Sequence, residues 1–82
     1  MSEAVIVTVR YWAGARAVAG VDADQHAGAT VGDVLESVVS SHPDLRRIAT
    51  VATFLLDGRH AERDTPVVEG VTLEVLPPFA GG

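Results

Sequence analysis

Hydrophobic and polar residues alternate from the start of the chain, in a way that predicts strands around one helix. Residues 4 to 12 (AVIVTVRYW) are rich in β-branched and aromatic side chains, which predicts a first strand. Alternate residues of this strand share a face. One face carries Val5, Val7, Val9 and Tyr11, and the other carries Ile6, Thr8, Arg10 and Trp12. The alanine-rich residues 13 to 20 end in Gly20 and predict a short helical turn. Residues 21 to 28 alternate weakly and predict an edge strand.

The clearest helical signal begins at Thr30. This residue and Asp33 form a capping-box pattern, with Thr30 as N-cap and Asp33 reaching back from the third helical position. Apolar side chains then recur at i, i+3, i+4, i+7 and i+8 and form one stripe, which comprises Val31, Val34, Leu35, Val38 and Val39. His42-Pro43 predicts the end of the helix, because proline disfavours helical geometry in the residue before it.

The second half of the chain predicts strands and turns. Residues 51 to 56 (VATFLL) predict a third strand, Asp57-Gly58 a hairpin turn, and residues 59 to 61 a short return strand. Residues 71 to 76 (VTLEVL) predict a last strand that Pro77 ends. The order of elements predicts a two-layer α+β fold, in which one main helix covers one face of a mixed four- to five-stranded sheet.

Composition narrows the classes of function. The chain has 82 residues, which suits one small domain, and 48% of them are hydrophobic, which is enough for a core. It contains no cysteine and no lysine, so disulfides, thiol nucleophiles and Schiff-base chemistry are excluded. The net charge of −5 disfavours nucleic acid as a partner. We expect a cytoplasmic protein without a membrane partner, because neither a basic leader nor a long apolar run is present.

The last six residues read Pro77-Pro78-Phe79-Ala80-Gly81-Gly82. The prolines favour an extended backbone, and the four residues after Pro78 span roughly 13 Å at about 3.3 Å per residue. Glycine has no Cβ, so the tip fits a channel too narrow for a side chain. This pattern predicts a flexible substrate arm for the active site of another protein. A frayed terminus without function is the alternative.

Several motifs together resemble a known family. VRYWAGAR in the first strand is similar to the pattern VRYFA-x-x-R of molybdopterin synthase small subunits. The capped helix from Thr30, the Asp-Gly turn, the DTP-x-x-x-G loop and the ending LPPFAGG match in order and spacing. The chain therefore resembles the MoaD/ThiS class of ubiquitin-like sulfur carriers over nearly its whole length. The resemblance implies a β-grasp domain over residues 1–78 and a flexible tail over residues 79–82.

The resemblance also implies a chemical role. The terminal carboxylate of Gly82, carried behind Gly81, is adenylated by an activating enzyme that uses ATP and is then converted to a thiocarboxylate. Its sulfur becomes part of the dithiolene of molybdopterin, in molybdenum cofactor biosynthesis. The chain binds no cofactor itself and is not catalytic alone. By this resemblance it acts as the sulfur-donor subunit of a heteromeric sulfurtransferase. Its expected partners are the large subunit of molybdopterin synthase, with which it forms a heterotetramer, and the activating enzyme.

By the same resemblance, five residues contact the large subunit: Trp12, Arg16, His60, Leu76 and Phe79. Trp12 replaces the usual phenylalanine of the motif, and Ala17 replaces a usual glutamate, whose role is therefore lost. Two alternatives stay open at this point. Trp12 could instead cover the sheet edge within the monomer, and Arg16 could be a solvated charge of the helical turn.

We predict no metal site, because His26, His42 and His60 are far apart in the sequence and belong to different elements. Asp22, Asp24 and Asp33 suit turns and caps better than a catalytic pair. Two other functions compete with the molybdopterin role. One is sulfur donation for thiazole or cysteine synthesis, and the other is a ubiquitin-like protein modifier joined to lysines through its Gly-Gly end.

Overall fold

The structure is a computed structural model that describes residues 4–78. The predicted tail residues, 79–82, lie outside the described residues. The strands are β1 (Val5–Tyr11), β2 (Ala23–Gly28), β3 (Thr53–Leu56), β4 (Arg59–Ala61) and β5 (Thr72–Leu76). The helices are α1 (Ala13–Ala19), α2 (Val31–Ser41) and α3 (Arg46–Val51), and a 3₁₀ turn spans Pro43–Leu45. Within residues 4–78, no helix has the length and apolar character needed to cross a membrane.

The five strands form one mixed sheet in the order β2-β1-β5-β3-β4. The first and last strands pair in parallel at the centre, with Val9 opposite Leu73 and Tyr11 opposite Val75. All other neighbouring strands pair antiparallel. This topology, with α2 packed against the sheet, is the β-grasp fold, and it confirms the predicted fold class. The predicted edge position of the second strand is confirmed as well.

The core lies between one face of the sheet and α2. The β1 face that begins at Val5 points inward, and Val7 and Val9 are fully buried. Four residues of the predicted helical stripe are buried against them, namely Val31, Val34, Leu35 and Val38. Thr30 caps α2 by accepting a hydrogen bond from the Asp33 amide at 3.2 Å. The Asp33 carboxylate accepts in turn from the amide of Ala29 at 3.1 Å, whereas a capping box would use the amide of the N-cap residue. The predicted reciprocal cap is therefore present, with its second hydrogen bond shifted by one residue toward the N-terminus.

The segment before β3 differs from the prediction. The sequence predicts a strand from residue 51, but Val51 is the last residue of α3 and the strand begins at Thr53. The amide of Ala52 donates to the carbonyl of Ile48 at 2.9 Å and closes the helix. The β-branched Val51 next to an apolar run suggested a strand, whereas burial of Leu45 and Ala49 holds residues 43–51 in helical turns against the core.

The hairpin between β3 and β4 follows its prediction. Asp57 and Gly58 both have positive φ, 47° and 86°, as a two-residue turn of this kind requires. Asp57 also joins the turn to β5, because its amide donates to the Thr72 carbonyl and its carboxylate accepts from the Thr72 amide, both at 2.9 Å. The turn is therefore fixed to the central strand of the sheet and does not depend on β4 alone.

Gly28 allows the end of β2 to approach the start of α2. A Cβ built on Gly28 would lie 2.8 Å from Cγ2 and from the backbone nitrogen of Val34, and 2.9 Å from Cβ of Asp33. Two of these three atoms lie close to rigid backbone, so the clash can be relieved only by moving the helix. Gly14 in α1 is a natural comparison, since a Cβ there would meet nothing within 4 Å.

We therefore expect Gly28→Ala to lower the free energy of unfolding by about 1–3 kcal/mol, as overpacking of a core does. Gly14→Ala should leave it unchanged or raise it by as much as about 1 kcal/mol, because alanine is the better helix former. Urea unfolding followed by circular dichroism measures both. Equal stability of the two variants would show that β2 and α2 are not in tight contact.

Candidate functional site

The face of the sheet opposite the core is the candidate site, and we call it the outer face. On β1 and β5 its residues alternate with buried ones, so Glu74 stands between the buried Leu73 and Val75. Strand register places a row of four side chains across this face, one from each of four neighbouring strands: Arg10, Glu74, Leu55 and His60. The row therefore combines a cation, a carboxylate, an apolar side chain and an imidazole on one surface.

Trp12 follows β1 directly and lies over this face. Its indole N–H donates to Glu74 Oε1 at 2.9 Å, and the Arg10 guanidinium lies 5.1 Å from the ring centroid. Its backbone amide donates to the carbonyl of Val75 at 3.2 Å, which ties it to β5. The residue is nonetheless 40% exposed. The indole is therefore held in one orientation by its own chain and still presents apolar surface to solvent.

Leu76 and His60 share the outer face with Trp12. Leu76 ends β5, is half-buried, and stands opposite Thr53 of β3. His60 of β4 is exposed, and its Nδ1 lies 3.5 Å from Oε2 of Glu62. The structure thus brings three of the five predicted contact residues to one surface.

Arg16 does not join them in the sheet. It lies on α1, is exposed, and has its guanidinium 3.7 Å from the carboxylate of Asp22. An ion pair this open contributes little to stability. The predicted roles of Phe79, Gly81 and Gly82 fall outside the described residues.

The last strand ends at the middle of the sheet. Leu76 ends this central strand, and Pro77 and Pro78 follow it as the last described residues. Strands β1 and β3 flank β5, so the end of β5 lies between Trp12 on one side and Thr53 on the other. The described chain therefore ends close to the exposed indole of Trp12.

A second group of polar side chains was missed by the sequence analysis. The carboxylate of Asp24 accepts hydrogen bonds from Tyr11 at 2.7 Å, from His26 Nε2 at 2.8 Å and from His42 Nε2 at 2.7 Å. His26 is buried, and its Nδ1 lies 2.8 Å from the hydroxyl of Ser37. The expectation that the histidines lie apart is therefore wrong for His26 and His42, whose ring centroids are 6.3 Å apart.

The cluster has a coherent electrostatic state. Burial alone would raise the pKa of Asp24, but hydrogen bonds from His42 and Tyr11 and the nearby His26 outweigh it, and the pKa is lowered. Burial, together with the hydrogen bond to Asp24 and its charge, raises the pKa of Tyr11. Asp24 therefore stays ionised and Tyr11 stays protonated at neutral pH. The alternation of Asp24 and His26 along β2 was the signal available in the sequence, and the structure places them opposite the buried Val9 and Val7 of β1.

Comparison with known proteins gives the family. The sequence profile of the ThiS family matches residues 9–82, most of the chain. The chain belongs to the ThiS family. It is a ubiquitin-like sulfur carrier of the ThiS/MoaD type, as the motifs of its first strand and tail predicted.

Solved structures agree on the fold. The crystal structure of SAMP1 from Haloferax volcanii is 27% identical with a TM-score of 0.85, covering 94% of this chain and 99% of that one. A protein assigned as molybdopterin converting factor subunit 1 from Pyrococcus furiosus is also 27% identical, with a TM-score of 0.81 and coverage of 92% and 99%. A complex of subunits 1 and 2 of molybdopterin-converting factor from Helicobacter pylori contains a chain with 19% identity, a TM-score of 0.70 and coverage of 95% and 100%. These neighbours serve different processes, so the likeness alone leaves the pathway open.

Proposed function

We propose that this chain is the sulfur-carrying small subunit of molybdopterin synthase, with the carboxylate of Gly82 as the group that is activated. The observation that carries the proposal is that an exposed, pre-oriented tryptophan lies at the end of the central strand, the last strand before the predicted tail. The similarity to the Pyrococcus furiosus subunit favours the molybdopterin pathway over thiazole or cysteine synthesis. The family match that extends through Gly82 supports a role for the tip.

The chemistry requires little from the body of the chain. A carboxylate is a poor electrophile, because oxide would have to leave. When a carboxylate oxygen of Gly82 attacks the α-phosphate of ATP on the activating enzyme, pyrophosphate leaves and an acyl-adenylate forms. A sulfur nucleophile supplied by that enzyme system then displaces AMP and leaves a thiocarboxylate. An α-carboxyl group with a pKa of about 3.5 is ionised at neutral pH and ready for the first step.

The outer face supplies recognition. Trp12 and Leu76 lie at the end of the central strand, and aromatic residues that are half-exposed and held in one orientation are frequent anchors of interfaces. We propose that this end of the outer face docks on the large subunit while residues 79–82 enter its active site. In the Helicobacter pylori complex of subunits 1 and 2, a chain with the same fold is bound to a partner subunit. A heterotetramer is the assembly that we propose here.

The reactive terminus can be tested by changing the tail length. Deleting Gly82, or adding one alanine after it, should abolish sulfur transfer, because either change moves the carboxylate by about 3.3 Å. Intact mass spectrometry after incubation with an activating enzyme, ATP and a sulfur source measures thiocarboxylate formation, and transfer to a pterin precursor is measured with the large subunit. Val68→Ala is the control and should behave as wild type, because Val68 is 66% exposed in the loop before β5, at the end of that strand opposite Leu76. Retained transfer in both tail variants would contradict the proposal.

The docking surface can be tested with two substitutions on the outer side of β1. Trp12→Asp should weaken binding of the large subunit by at least about 2 kcal/mol, or about 30-fold, if Trp12 is a central anchor. Ile6→Asp is the matched control, because Ile6 is 43% exposed on the same strand. It lies roughly 20 Å from Trp12 at about 3.3 Å per residue. Its binding should stay within about threefold of wild type, which is under 1 kcal/mol.

Thermal unfolding of both variants accompanies the binding measurement. Each should change the unfolding free energy by about 1 kcal/mol or less, as exposed positions do. A large loss of stability in Trp12→Asp with unchanged affinity would instead assign Trp12 to the monomer core. Equal loss of affinity in both variants would contradict a docking surface centred on Trp12.

A protein modifier is the second candidate function, favoured by the similarity to SAMP1. Here the activated Gly82 would form an amide with a lysine of another protein. The chain itself has no lysine, and the guanidinium of arginine stays protonated and is a poor nucleophile. Adducts formed without any sulfur transfer would select this function.

If conjugates form, we expect them to run one way, from Gly82 to a lysine of a different protein. Peptide mapping of purified conjugates by mass spectrometry should find no branch point on a side chain of this chain. Introducing a lysine at an exposed arginine, for example Arg59→Lys, supplies an acceptor and is the positive control. A junction between Gly82 and an internal side chain of a second wild-type copy would contradict the prediction.

A further inference from the structure

We infer that Asp24, His26 and His42 form a binding site for a divalent transition metal ion, and that zinc is the ion it fits best. The site lies at the edge of the sheet opposite β4 and is separate from the outer face. It joins the inner side of β2 to the C-terminal end of α2. The sequence predicted no such site, because the three ligands become neighbours only when the edge strand packs against the helix.

The geometry of the ligand atoms supports this site. Both imidazole Nε2 atoms point at the same carboxylate, and the three ligand atoms lie within 4.8 Å of one another. Ligands of a tetrahedral zinc ion at about 2.0–2.1 Å are separated by about 3.3 Å. The two contacts between Nε2 and the carboxylate, at 2.8 and 2.7 Å, therefore have to widen by about 0.5 Å, and the longest separation has to shrink by about 1.5 Å at most. His42 and Asp24 are partly exposed, with side-chain accessibilities of 19% and 28%, which provides an entry path and room for a fourth ligand.

The surroundings of the ligands are those of a metal site. In the metal-bound state the single ring proton of His26 lies on Nδ1, and the Ser37 hydroxyl at 2.8 Å is placed to accept it. Tyr11 donates to the carboxylate at 2.7 Å and orients it. Two imidazoles and one carboxylate suit zinc, copper or nickel better than calcium or magnesium.

Charge favours a cation at this place. His42 is the C-terminal cap of the 11-residue α2, where the helix carries partial negative charge, and no basic residue lies in the last turn. The chain as a whole has a net charge of −5. A bound ion would tie the edge strand to the main helix, a contact that otherwise rests on hydrogen bonds and on the close packing of Gly28 against Asp33 and Val34.

The test uses the untagged, full-length chain and zinc ions alone. Isothermal titration should show one saturable ion per chain, and the melting temperature should rise by about 10 °C or more when free zinc is about 100 times its Kd. His42→Gln keeps a donor for Asp24 but removes one ligand, and it should weaken binding by at least about tenfold. His60→Gln is the control: His60 is an exposed histidine on the opposite edge strand and should bind as wild type.

A second variant keeps the test decisive if His42→Gln unfolds. Ser37→Ala leaves all three ligands in place and should weaken zinc by about tenfold through the loss of the His26 acceptor. Nitrogen chemical shifts of the His26 ring should show the proton moving from Nε2 to Nδ1 when zinc is added. The inference is overturned if no saturable binding occurs up to about 1 mM zinc, or if His60→Gln loses as much affinity as His42→Gln.

Discussion

The parallel pairing of β1 with β5 is the constraint on which the rest of the structure depends. Parallel strands cannot be joined by a tight turn, so the intervening chain must cross over the sheet, and here it supplies the helices and the β3–β4 hairpin. The pairing places the last strand at the centre, so the described chain ends at the middle of the sheet. It also sets Trp12 against Val75, so the end of β5 lies beside a fixed aromatic ring.

Burial of only one sheet face follows from the small size of the chain. One helix of 11 residues and two shorter ones cover the sheet face that carries Val7 and Val9. Within residues 4–78, no helix packs on the outer face. That outer face must then be stable in water and still be able to bind. The contacts of Trp12 satisfy both needs. Glu74 accepts a hydrogen bond from the indole nitrogen, and together with Arg10 over the ring it restricts the side-chain rotamers that binding would otherwise have to restrict.

Much of this fold could be predicted from local patterns, since the patterns and the tertiary contacts agree. The alternation in β1, the cap at Thr30 and the turn at Asp57-Gly58 each specify a local geometry that the whole structure keeps. α3 was missed because its six residues carry no cap and hold their shape through the burial of Ala49. The strand order, and with it the surface shared by Trp12, His60 and Leu76, came from the family resemblance, because the pattern of elements leaves strand pairing open.

The polar cluster could not be assembled from the sequence for a different reason. Asp24 and His26 alternate on one face of β2, but residue 42 lies outside that local pattern, and its meeting with them depends on how far α2 extends before Pro43 ends it. A small core gains nothing in stability from burying His26, since an apolar side chain of similar volume would pack at least as well. Every buried polar side-chain atom among the described residues has a hydrogen-bond partner, so the burial of His26 carries no unsatisfied group. A network that adds no hydrophobic stability and yet fixes two imidazoles on one ionised carboxylate has the property that metal binding requires, which is ligands oriented before the ion arrives.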